Sequence, residues 1–217
     1  MNFYIIVLLS FTILIAGIIG GVRFNRVHHS YYPLLYFFWL AGLNEILSVL
    51  LLMQGINNNV NGNIYFLFES FLITWYFQKI GIFKKVPVLF YCILTALGVS
   101  WVFENFIFSS INKVGVYFRI IHSFIVVLMS IHAINNLITN NQGSLFKNAS
   151  FLVCIGFIIY YTYKVIVEAF YIYGLSSSLQ FQVVIYEILV YINVVVNFIY
   201  ALAALWMPKR QAFTLPS

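Results

Sequence analysis

Hydrophobic positions along the chain fall into seven long runs, roughly 3–21, 33–53, 63–80, 86–103, 115–137, 149–173 and 180–206, separated by short polar stretches. Each run reaches or nears the ~20 residues that cross a hydrocarbon core of ~30 Å at 1.5 Å per residue. With such short connections, backbone polar groups are most simply satisfied inside helices. The pattern predicts an all-α polytopic membrane protein, a single domain over residues 1–217 built as a bundle of seven transmembrane helices. Helix punctuation fits this reading. Pro33 and Pro87 open the second and fourth helices, where a missing N–H costs nothing, and Pro208 stops the seventh. The Asn-rich stretch 56–63 reads as a solvated turn, and no run shows the signature of an interrupted helix.

Composition sharpens the class. With 63% hydrophobic and 7% charged residues, the chain is not a water-soluble globule. The first run has no basic leader and no Ala-x-Ala cleavage site, so it reads as an anchor helix and not as a removed signal peptide. Cys92 and Cys154 fall mid-helix, so no disulfide framework is expected. The net charge of +6 is not a nucleic-acid footprint, because the basic residues alternate by connection. Arg23 and Arg26 follow the first helix, Lys79, Lys84 and Lys85 the third, Lys147 the fifth, and Lys209 and Arg210 the seventh. Of the intervening connections only the one after the fourth helix carries a basic residue, Lys113. The positive-inside rule then sets the N-terminus outside and the C-terminus inside, in a cytoplasmic membrane. Tyr31, Tyr32, Trp75, Trp101, Tyr171, Tyr173 and Trp206 fall near the predicted interfaces, as an aromatic belt would.

Charge placement changes the picture most. Glu45, Glu69, Glu168 and Glu187 lie inside the apolar runs, and only Glu104 sits at a segment end. Ionisable groups in hydrocarbon cost several kcal/mol unless paired or wet, so each is a functional candidate. Counted at 1.5 Å per residue from the predicted outer ends, Arg119 is ~6 Å deep, Glu168 ~8 Å, Glu69 ~9 Å, Glu187 and His122 ~10 Å, Glu45 ~12 Å and Lys164 ~14 Å. Seven groups from five helices share the outer half, and only His132 lies in the inner half. Lys164 and Glu168 stand at i,i+4 and are expected to neutralise each other. Tyr65 and Glu69 form a stripe on the third helix; Asn193, Asn197 and Tyr200 form one on the seventh; Asn44, Glu45 and Ser48 lie on the second. The expectation is an outward-facing polar cavity lined by Asn44, Glu45, Tyr65, Glu69, Arg119, His122, Lys164, Glu168, Glu187 and Asn193. Its formal charge, four Glu against Lys164 and Arg119, is −2. Protonation, a bound cation or penetrating water must offset that excess. The competing account is purely structural, because membrane helices also use such pairs to associate, at ~0.6 kcal/mol each.

Weaker signals complete the inventory. Gly17 and Gly21 form a GxxxG that packs within the bundle, and Asn148-Ala-Ser150 matches a glycosylation sequon on the predicted inner side, where it is silent. HExxH, GxSxG, CxxC and Gly-rich phosphate loops are absent, and the histidines are too scattered for zinc, so neither an enzyme nor a metal or cofactor site is expected. A Schiff-base lysine on the last helix is missing, which removes a retinal protein.

Two readings stay open. One is a sensor or signalling component that binds a small molecule or cation from outside and acts through a membrane or cytoplasmic protein partner. The other is a small-solute or proton/ion-coupled transporter. Its helices would form a three-plus-one-plus-three repeat, with Glu45 matching Glu168 and Glu69 matching Glu187 in depth. Asn63-x-Tyr65 leading into Glu69 is one recognisable element. Another is Asn193-x-x-x-Asn197-x-x-Tyr200-Ala before Met207-Pro208-Lys209-Arg210. Together they resemble uncharacterised bacterial seven-helix membrane proteins, which are themselves similar to the membrane sensor modules of histidine kinases. The resemblance implies a bacterial inner-membrane location and a sensing role, although this sequence includes no kinase.

Overall fold

The computed structural model describes residues 3–140, 144–173 and 179–209; the Tyr173 side chain, the uncharged connection 174–178 and Arg210 lie outside the described residues. Eight α-helices follow in chain order: α1 (Phe3–Ser10), α2 (Ile13–Arg23), α3 (Tyr32–Met53), α4 (Asn59–Lys79), α5 (Pro87–Val102), α6 (Val116–Asn140), α7 (Ala149–Tyr173) and α8 (Leu179–Trp206). A π-helical segment, Phe103–Phe108, continues α5. Among the described residues the only extended pairing is an isolated bridge between Val27 and Lys209.

Among the described residues six segments are long and apolar enough to cross a membrane: Ile5–Arg26, His29–Met53, Pro87–Phe108, Val116–Thr139, Ala149–Ile172 and Val184–Trp206. The chain is therefore built as a multi-pass integral membrane protein. Helix α4 has 21 residues, enough length, but Asn59, Asn61, Asn63, Glu69 and Gln78 lower its average hydropathy. Its polarity faces inward. Asn63, Glu69, Ser70 and Thr74 are buried, while Ile64, Phe68 and Phe71 are exposed.

Helices α2, α3, α4, α6, α7 and α8 pack in a closed ring, each against the next, with α8 returning to α2. Helix α5 lies outside that ring against α4 and α6. The GxxxG of α2 seats an indole within the bundle: Trp39 Nε1 donates to the Gly17 carbonyl at 3.0 Å. At the end carrying residues 23–31, the Arg23 guanidinium donates to the carbonyls of Ala204, Leu205 and Met207, capping the C-terminus of α8. Asn148 Oδ1 accepts from Ser150 N at 2.9 Å and so caps α7, which accounts for two residues of the sequon as helix punctuation. Tyr31 is buried, unlike a belt residue, and its hydroxyl lies 2.7 Å from Ser150 Oγ.

Two interruptions depart from the sequence reading. The first span breaks at Phe11 and Thr12, between α1 and α2. There Ser10 Oγ donates to Val7 O at 2.9 Å and Thr12 Oγ1 to Leu9 O at 2.7 Å. Hydroxyls that bond back to carbonyls bend helices, and Thr12 Oγ1 also accepts from Asn197 Nδ2 of α8 at 2.9 Å. Neither residue is Pro or Gly, so the break has no signature in the sequence pattern. The second interruption is the π segment after α5, which carries Glu104 into the bundle, where it is buried.

The middle of the ring is closed by aromatic rings around Phe157 of α7. Its centroid lies 6.0 Å from Phe37, 5.7 Å from Tyr200, 6.4 Å from Tyr76 and 6.0 Å from Phe77. Gly156 makes this packing possible, because a Cβ there would stand 2.5 Å from Tyr200 Cε1. Gly98 on α5 has nothing within 4 Å of that position. Gly156→Ala is expected to destabilise the protein by about 1–3 kcal/mol through overpacking. Gly98→Ala is expected to stabilise it by up to about 1 kcal/mol through helix propensity. Unfolding of the two variants in one detergent checks the contrast.

Candidate polar cavity

Above the Phe157 plug, on the side of the α3–α4 connection, the ring encloses a cavity of about 390 Å³. Every ring helix contributes to its wall and α5 does not. Asn58, Asn59 and Val114 form its rim, and Phe37 and Tyr200, which belong to the aromatic plug, line it from below. The break in the first span borders it through Ser10 and Ile13. The volume falls within the range of small-molecule sites, about 300–1,000 Å³.

The rim is held by amides. Asn63 of α4 is the central one: its Nδ2 donates to Ile111 O at 3.0 Å and Lys113 O at 2.7 Å, and its Oδ1 accepts from Gly115 N at 3.1 Å. Its own carbonyl accepts from Trp101 Nε1 at 2.9 Å. Asn61 Nδ2 bridges to Asn44 Oδ1 of α3 at 3.0 Å, and Asn59 Nδ2 reaches Asn112 O at 2.9 Å. From Asn59 onward the Asn-rich stretch is thus the start of α4, tied to its neighbours, and not a free turn. Glu104 completes this end by accepting from Tyr117 N at 2.9 Å and Phe118 N at 2.5 Å. A carboxylate there caps the N-terminus of α6.

Of the residues expected at the site, Asn44, Glu45, Tyr65, Glu69, Arg119 and Asn193 line the cavity. Lys164, Glu168 and His122 stand in the wall behind them. Glu187 is half-buried on α8 and is not among the lining residues. The Lys164–Glu168 pairing gives way to another. Arg119 Nη1 lies 3.4 Å from Glu168 Oε1, an ion pair between α6 and α7. Lys164 Nζ sits instead 3.6 Å from the centroid of Phe66, with Tyr161 and Tyr160 at 5.4 and 5.5 Å. It is 3% exposed and has no hydrogen-bond partner among the described residues. Glu69, 2% exposed, accepts the Tyr161 hydroxyl proton. The His122 ring stacks on Phe118 and meets Tyr161 edge-on, both of its nitrogens buried without a hydrogen bond.

No family model, curated protein or solved structure matches this chain. The wall's chemistry is the remaining guide.

Its electrostatics are strained. Among the described residues Arg119 makes two hydrogen bonds, at 3.4 and 3.5 Å, the second to Asn63 Oδ1, and its buried Nε makes none. Good charge-assisted pairs are about 2.7–2.9 Å. An ammonium buried without hydrogen bonds costs stability even over an aromatic face. Sequence reasoning passed over Asn63 as an in-bundle group, Glu104 as a cap and Phe66 as the ring that receives Lys164. Two of these carry no charge, and the third sits at a segment end, so a search by charge and depth does not find them.

Lys164→Met is expected to change stability by less than about 1 kcal/mol, because removing an unsatisfied buried donor offsets the attraction lost to Glu69 and Glu168. Arg119→Met is expected to lower stability by about 3–5 kcal/mol, because Glu168 loses its ion-pair partner in a buried wall. Thermal unfolding in detergent gives both magnitudes. Equal losses from the two variants would contradict the missing hydrogen bonds of Lys164.

Proposed function

We propose that α4 is a seventh span, that the N-terminus faces outward, and that the protein is a membrane sensor or signalling component. It binds a small solute in the cavity from the extracytoplasmic side and acts through a protein partner. The observation that carries this reading is the cavity itself: a wall with polar side chains from α3, α4, α6, α7 and α8, a rim at the α3–α4 end, and an aromatic plug below. The inward-turned polarity of α4 supports its spanning the bilayer, since polar side chains in a membrane face the bundle interior. Its lysine-bearing end, at Lys79, Lys84 and Lys85, supports the orientation. The likeness to sensor modules of histidine kinases fits a receptor whose output belongs to a partner.

Transport is the second reading, favoured by one specific feature. The first span tightens to i→i−3 bonds at Phe11 and Thr12 beside the cavity, an irregularity of the kind found around many transporter sites, and α5 stands apart between the groups α1–α4 and α6–α8.

Thiol labelling tests both readings. In a Cys92→Ser background, Asn44→Cys and Asn193→Cys are expected to react with a membrane-impermeant reagent added outside intact cells. Val153→Cys, fully buried on the far side of the plug, is expected to stay inert. Reaction of the cavity positions only from the cytoplasmic side would overturn the orientation. Reaction of Val153→Cys from the cytoplasmic side would replace the sensor by a transporter with an alternating path.

A further inference from the structure

The cavity wall is charged with both signs in an ordered way. Arg119 stands near the rim, its Nη2 3.5 Å from Asn63 Oδ1. The Arg119 guanidinium carbon also lies 4.3 Å from the Phe66 ring centroid, and Glu69 is three residues beyond Phe66 on α4, ~5 Å of rise at 1.5 Å per residue. Glu45 lines the same cavity from α3, and Tyr65, Phe66, Tyr160 and Tyr200 supply aromatic surface. Arg119 has donors to spare on its Nη atoms, whose two bonds are long. Glu69 is met by the hydroxyls of Tyr161 and Tyr65, and a carboxylate has room for more donors than these.

We propose that the cavity takes a small zwitterion, its anionic group on Arg119 and its ammonium group on Glu69 and Glu45. This deepens the ligand-binding reading above and rests on it. A simple cation would meet Arg119 in the wall and Lys164 behind Phe66; a simple anion would meet Glu45 and Glu69. A molecule carrying both charges satisfies both ends, and the tyrosine and phenylalanine faces stabilise the ammonium. The length is suitable. With ~5 Å of rise between the Phe66 level and Glu69, a short amino acid, ~2.5–5 Å from its nitrogen to its carboxyl carbon, has the span to place one end on each residue. The volume of about 390 Å³ admits such a molecule with accompanying water. A fork of N–H donors suits a carboxylate better than a lysine would, which places the anionic end at Arg119 and not at Lys164.

The test is thermal unfolding of the full chain in detergent with β-alanine, 4-aminobutanoate and glycine betaine, beside propylamine and butyrate at equal ionic strength. At least one zwitterion is expected to raise Tm saturably by about 2–4 °C, with smaller shifts from the singly charged compounds. Glu69→Gln is expected to abolish the rise. So is the double variant Arg119→Gln/Glu168→Gln, which removes both partners of the ion pair and leaves no orphaned charge to unfold the wall. An equal response to propylamine would make this an organic-cation site, and an equal response to butyrate an anion site; either overturns the proposal. Labelling of Asn44→Cys with no response to any zwitterion overturns this proposal alone. Absence of that labelling sinks the cavity reading and the proposal together.

Discussion

Four parts of the chain converge on the Asn63 amide. It holds the carbonyls of Ile111 and Lys113, receives the Gly115 N–H, and lies beside the Arg119 guanidinium, while its backbone receives the Trp101 indole. The underlying constraint is that polar groups inside an apolar bundle must be satisfied by the bundle itself. Helix α4 meets it by turning its amides and Glu69 inward and its Ile64, Phe68 and Phe71 face outward. Once α4 is oriented this way, the α5–α6 connection is pinned over its first turns. The π segment then brings Glu104 to the N-terminus of α6, and Arg119 is delivered to the rim of the cavity.

The centre of the ring divides into a closely packed aromatic part and a part rich in charged side chains. Below, Phe157 and its neighbours form a close aromatic plug that requires a glycine at position 156 to admit Tyr200. Above, Lys164, Arg119 and His122 are buried with hydrogen-bonding capacity left over. The break at Phe11 and Thr12 lies at the level of the site and not of the plug, and it is held by a contact from Asn197 to Thr12. A helix that is already interrupted there can adjust to an occupant at lower cost than a continuous one.

Much was legible from the sequence. Apolar runs of spanning length, prolines at their ends and polar residues at helical spacing are local signals. They led to an all-α membrane architecture with Glu69, Tyr65, Asn44, Glu45, Arg119 and Asn193 on interior faces. Helical periodicity suffices for that, because in lipid a polar side chain has only one favourable direction to point.

Pairing was not legible. Lys164 and Glu168 are neighbours on one helix face, and local geometry makes them partners, yet Arg119 from another helix takes the carboxylate and Phe66 takes the ammonium. The helix break was hidden for the same reason: a serine and a threonine bend a helix only when their hydroxyls turn back on it, and Asn197 is distant in sequence. Spacing along one chain decides which face a group occupies. Which partner it finds across the ring depends on how helices far apart in sequence are rotated and raised against one another, and only the packed bundle determines that.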